Sequence, residues 1–139
     1  MLEIETGKIL NLNSGSHMMT AKRGGFDPFG NTWWGGADGA LIELNAKDAR
    51  INEHFPPIAP HHFTDFYEAY PDKNGEVWAG VLHGRQMVRY NPKTDHWVVY
   101  NMPEPYSYDR RIIIDNSAKT ATVWFVDYNN DLVRIQPLD

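Results

Sequence analysis

The chain has no cysteine, which excludes disulfides, thiolate metal sites and a cysteine nucleophile. It has no apolar run near the roughly 20 residues that a membrane-spanning helix requires. Basic residues are outnumbered, with 13 Lys and Arg against 18 Asp and Glu and a net charge of −5. Lys22-Arg23 and Arg110-Arg111 are the longest basic clusters. Two isolated pairs make no phosphate-binding footprint, so neither nucleic acid nor a membrane is an expected partner. The opening MLEIETGKIL carries Glu3 and Glu5 where a signal peptide would carry a basic lead and an apolar stretch, and it does not read as one. The compartment stays unassigned. No apolar 3.6-residue periodicity persists over three turns, and 9 Pro and 11 Gly are spread along the chain, which argues against a helical fold. A Gly-x-Ser-x-Gly elbow, a P-loop and a His-Glu-x-x-His motif are all missing.

What is present is a repeat. The phrases FDPFGNTWWGGADGALIEL (26–44), YPDKNGEVWAGVLHGRQMVRY (70–90) and IDNSAKTATVWFVDYNNDLVRI (114–135) align on Trp33, Trp78 and Trp124, at intervals of 45 and 46 residues. A polar turn precedes each Trp, and a second turn and a short apolar strand follow it. Asn74-Gly75 reads as a tight hairpin with both residues at positive φ. Met87, Arg89 and Trp97, Val99 alternate as half-buried antiparallel strands do.

Four-stranded antiparallel units at this period predict an all-β fold of β-propeller blades, three per chain. The expected boundaries are an outer strand at 3–12, blades at 17–55 and 62–100, and the first three strands of a last blade at 105–136. The aligned Trp side chains are expected between adjacent sheets. Three blades leave two sheet faces uncovered, so a homodimer closing a six-bladed ring is the expected assembly. In it, residues 3–12 would complete the partner's last blade.

The phrases Asp-x-x-Gly-Asn-x-x-Trp at 27–34 and Trp-Phe-Val-Asp followed by Asn-Asp-Leu-Val-Arg-Ile at 124–135 resemble blades of the streptogramin lyase propeller family. The resemblance covers Thr6 to Pro137. It implies a propeller that opens an ester-linked cyclic depsipeptide by elimination, with magnesium, a general-base His and acidic residues at the channel mouth. Those acidic residues often stand three positions after the Trp. Asp127 matches that place, while Gly36 and Val81 occupy it in the other two repeats.

Counting back 16 residues from each aligned Trp selects His17, His62 and Tyr108 as catalytic candidates at the entrance to the innermost strands. A neutral His binds divalent metals, and a His near its ordinary pKa also takes a proton. A ring of His, His and Tyr at one height therefore suits a metal, an anion or a substrate carbonyl. Asp65 joins His17 and His62 as a candidate ligand for a divalent ion, magnesium or zinc. His83, Arg110 and Asp127 are candidate substrate contacts, whereas His54 and His96 read as surface or packing residues of outer strands. The expected activity is that of a carbon–oxygen lyase or a metal-assisted hydrolase acting on an ester or related small substrate. The alternatives are a ligand- or protein-binding propeller without chemistry, or a structural fragment of a larger chain.

Overall fold

Each polar turn ahead of a Trp begins with an aspartate, and in the first two units that aspartate organises the hairpin. Asp27 Oδ1 accepts the amides of Phe29 and Asn31 at 2.8 and 2.9 Å, and its Oδ2 accepts Trp33 Nε1 at 3.1 Å. Asp72 repeats this with the amides of Asn74 and Glu76 at 2.8 and 3.1 Å and with Trp78 Nε1 at 3.1 Å. Gly30 and Gly75 sit three residues after their Asp at φ values of 91° and 83°, a region that glycine enters without steric cost. Asn74 does not share the positive φ of Gly75, so the turn is not the two-residue type read from Asn74-Gly75. The Asp72 carboxylate spans a longer turn, closed by Asp72 N–H to the Glu76 carbonyl at 2.8 Å.

In a computed structural model of the chain, residues 2–12, 20–58, 65–82, 84–103, 111–127 and 129–138 are described. The described elements are all strands: β1 Ala21–Phe26, β2 Thr32–Gly36, β3 Leu41–Leu44, β4 Ile51–His54, β5 Asp65–Pro71, β6 Val77–Leu82, β7 Gln86–Asn91, β8 His96–Asn101, β9 Ile112–Asp115, β10 Thr122–Val126 and β11 Leu132–Ile135. Two four-stranded antiparallel units, β1–β4 and β5–β8, meet where β1 runs parallel to β5, giving one curled eight-stranded sheet in the order β4-β3-β2-β1-β5-β6-β7-β8. β9–β11 form a separate three-stranded sheet. The arrangement is all-β and propeller-like, open rather than closed. Among the described residues no helix is long and apolar enough to cross a membrane.

Two apolar layers hold the units together. Trp33 and Leu41 of the first unit bury against Phe66, Ala69, Val77, Ala79, Val88 and Tyr90 of the second. Trp78 and Met87, on the opposite face of the second unit, bury against Ile112, Val123, Phe125 and Ile135 of the third. Trp33 and Trp78 are fully buried, while Trp124, pointing away from both layers, is only partly covered. Successive turns also touch. A side chain at Gly75 would collide with the Phe29 ring, 2.7 Å from its Cβ, and Lys73 Nζ donates to the Asn116 and Ala118 carbonyls.

The first 12 residues, expected to add a strand to a partner's blade, form none within one chain. No strand spans 3–12: Gly7 turns the chain back at φ 69°, and a single bridge joins Leu2 to Ile9. An edge strand is held by the ladder of a neighbour, and within one chain this segment has none, so it satisfies its backbone locally.

The Asp clamp predicts unequal sensitivity. Asp72→Ala strips two turn amides and a buried indole N–H of their acceptor and should cost about 2–4 kcal/mol. Asp115→Ala, which removes an exposed cap on the Ser117 amide, should barely move the urea midpoint. Urea titrations of the two variants in parallel check this.

Candidate functional site

The inner strands β1 and β5 share an irregularity. Both break register at the same height, between Ala21 and Gly24 and between Phe66 and Ala69. Bulges re-aim side chains, and here they turn out charged ones. The parallel bridge sets Arg23 beside Glu68. Phe26, Pro71 and Ile114 each pair with the residue preceding the aligned Trp. Counting back three from each gives Arg23, Glu68 and Arg111, so the three units present Arg, Glu and Arg at one level.

Around this level the contacts are close. Lys22 Nζ lies 2.6 Å from both oxygens of Asp65. Lys22 and Arg23 lie 5.3 and 5.2 Å from the ring centre of Tyr67, within cation–π range. Glu68 is 1% exposed and accepts the Ile112 amide, bonding the second unit to the third. Burial pushes its carboxyl up to about 7, against the opposing pull of that amide, of Arg23 and of Arg111. Arg23 and Arg111 are themselves exposed. Two accessible guanidiniums flanking a buried carboxyl can hold a carboxylate or carbonyl oxygen of a ligand.

Of the residues selected from sequence, His17, His62, Tyr108, His83 and Arg110 lie outside the described residues. The 16-residue count that selects Tyr108 crosses a first turn three residues longer than those counted for His17 and His62: Asp115 precedes Trp124 by nine residues, where Asp27 and Asp72 precede theirs by six. Asp65 opens β5 and spends both oxygens on Lys22. Asp127 is buried in the β10–β11 turn, where its Oδ1 takes the amides of Asn129 and Asp131, each at 2.9 Å, and its Oδ2 is left without a partner. Among the described residues no three His, Asp or Glu side chains gather as a metal site. With Asp65 neutralised by Lys22, the described donors do not fit a divalent ion, and no step is routed through one.

A second polar cluster was not visible in the sequence. His54, expected at the surface or in packing, lies between Trp33 and Tyr90, with ring centres 5.2 and 5.0 Å away. Its Nε2 is 3.1 Å from Glu43 Oε2 and its Nδ1 is 2.9 Å from the Tyr90 hydroxyl, which donates to Asp95 Oδ1 at 3.1 Å. All three bonds coexist only when both ring nitrogens carry protons, so the chain is complete with an imidazolium. The bond from His54 holds the Glu43 carboxyl below its ordinary range, and burial together with Asp95 holds the Tyr90 phenol above its own. This cluster ties the outer strands of the first two units together, away from the Arg–Glu–Arg level.

Glu68 gives a signed pH dependence. Its folded pKa of about 7 stands above its ordinary 4.5, so its contribution to stability is intact below pH 4.5 and is lost as pH rises through 7. Glu68→Gln keeps the acceptor for Ile112 and removes the titration. The variant should lose the decline in melting temperature between about pH 4.5 and 7 and be more stable at pH 8, by on the order of 2–3 kcal/mol. Melting curves across that range test it.

No protein-family profile matches the chain, and no curated protein matches it. Solved structures do. Virginiamycin B lyase from Staphylococcus aureus, in selenomethionine form, matches over 99% of this chain with a TM-score of 0.69 and 14% identity. The catalytically inactive H270A form of the same enzyme, solved with quinupristin, matches over 95% with a TM-score of 0.72 and 16% identity. The chain spans 47% and 46% of those two proteins, just under half of their length. At this identity the likeness is one of fold, and the fold is that of a stretch of the virginiamycin B lyase propeller.

Proposed function

We propose that the protein is a lyase-like propeller enzyme that binds an ester or related small substrate where the inner strands present Arg23, Glu68 and Arg111. The observation that carries this reading is the coincidence of that charged level, at paired bulges, with a propeller whose fold is shared with a lyase. In the elimination, a base takes the proton α to the substrate carbonyl and the freed electron pair forms a carbon–carbon double bond. The β carbon–oxygen bond breaks, and the ester leaves as a carboxylate. Arg23 and Arg111 suit the carbonyl oxygen, where charge builds, or the departing carboxylate. The base is assigned to His17 or His62, with Tyr108, His83 and Arg110 as further contacts.

Asp65, bound to Lys22 through both oxygens, is given no ligand role in either reaction. A binding propeller without chemistry is the second reading, supported by the Tyr67 ring beneath two cations.

Mass spectrometry of quinupristin or a linear β-acyloxy ester incubated with the protein separates these outcomes. Elimination opens the quinupristin ring at unchanged mass and creates a new ultraviolet chromophore; from the linear ester it releases the carboxylic acid and an alkene. Hydrolysis adds the mass of water. Arg23→Ala should lower kcat/KM on the order of tenfold, as expected for a lost charged hydrogen bond. Calorimetric binding with unchanged substrate would replace the enzyme reading by the binding one, and no binding to either substrate would overturn both.

A further inference from the structure

The two layers between the units define what a blade contact is in this chain. One unit offers a Trp face, and the next offers a receiving face without a Trp at its centre. Leu41 and Met87, opposite the positions two residues after Trp33 and Trp78, are both fully buried in those layers. Leu132 holds the same place relative to Trp124, paired with Val126, and is 68% exposed. Ile113 and Val126 share its face and are 68% and 51% exposed. The third unit thus carries a Trp face whose Leu132, Ile113 and Val126 stay exposed among the described residues.

At the other end of the chain is the complement. Val77 and Val123 precede their Trp and are buried in the layers that receive Trp33 and Trp78. Their counterpart in the first unit is Thr32, on a face with Phe26, Trp34 and Leu44, where Phe26 is 75% exposed. Glu53, paired with Ile42 on that same face, keeps one shielded oxygen without a hydrogen-bond partner. On the free Trp face the exposed Arg134 lies 5.4 Å from the Trp124 ring, as Arg89 lies 5.5 Å from Trp78. The Trp124 face carries Arg134 together with Asp115, which pairs with Thr122, and the Phe26 face carries Glu53 beside the buried Ile42.

We infer that a second copy of this chain covers both faces, the Trp124 face of each copy seating on the Phe26 face of the other, so that two copies close one ring. Three observations select this occupant. The two faces are of opposite kind and lie on one chain, so a head-to-tail contact repeats the two contacts already inside it. Each face exposes apolar side chains, Ile113, Val126 and Leu132 on one and Phe26 on the other. The chain matches 46–47% of a protein of the same fold, so two copies match nearly the length of one such protein. The inference rests on the propeller fold and is independent of the proposed chemistry. In the ring, the Arg–Glu–Arg level occurs twice, and the chain's partner completes the enclosure of the site.

Light scattering on the full chain at micromolar concentration should give a mass of two chains, against 16.0 kDa for one. Leu132→Asp and Phe26→Asp change residues that are exposed in the single chain, so each variant should keep the β-type circular dichroism of the parent and run at the mass of one. Mixing the two should restore a two-chain species, because one contact in the mixed ring then has both wild-type faces. A wild-type mass of one chain or of three overturns the inference. A variant that stays at two chains overturns the assigned faces, and a mixture that stays at one overturns the head-to-tail pairing.

Discussion

Everything regular in this fold hangs on a carboxylate that bonds its own turn and an indole at once. Asp27 and Asp72 are buried, which would be costly for a charge without partners, and each is given two backbone amides and an indole N–H. The bond fixes where the Trp ring lies relative to the strand ends, and the ring in turn sets the spacing between sheets. In the third unit the turn is three residues longer and Asp115 bonds the amide and side chain of Ser117, so Trp124 lacks this tether among the described residues. The same carboxylate geometry reappears one hairpin later at Asp127, with Asn130 at φ 67° taking the place of glycine. There the sixth residue on is Val133 and not Trp, which is why Asp127 Oδ2 has no donor.

The strand repeat was legible in sequence because it is built from local rules. A turn residue, an aromatic and an alternating strand recur at a period the eye can align, and the described elements are all strands. The join between the first two units was not legible. A parallel bridge between β1 and β5 links residues 45 apart and depends on how far the sheet curls, which no local pattern encodes. Residues 3–12 were expected to pair with a partner's blade, and within one chain they form only the Leu2–Ile9 bridge.

The candidate site shows the limits of a ruler. Counting from Trp gives equivalent positions only while the turn between is of constant length, and the longer third turn breaks that condition. Counting from the strand register finds Arg23, Glu68 and Arg111, of which sequence reading singled out the two arginines only as members of basic pairs. The signal was there in the 45-residue interval between Arg23 and Glu68, with opposite charges at equivalent places. The Glu43–His54–Tyr90 chain had no such signal, since its members come from strands whose packing only the fold reveals.

The separateness of β9–β11 has a kinetic meaning. The first two units share a backbone ladder across β1 and β5, so neither opens without breaking main-chain hydrogen bonds of the other. The third is attached by side-chain packing, by Glu68 to the Ile112 amide and by Lys73 to the turn at Asn116, among the described residues. Such an attachment can release as a unit while the rest stays folded. Amide exchange in Thr122–Val126 and Leu132–Ile135 then reports the detachment of one sheet, on a faster clock than the global unfolding seen at Val77–Leu82.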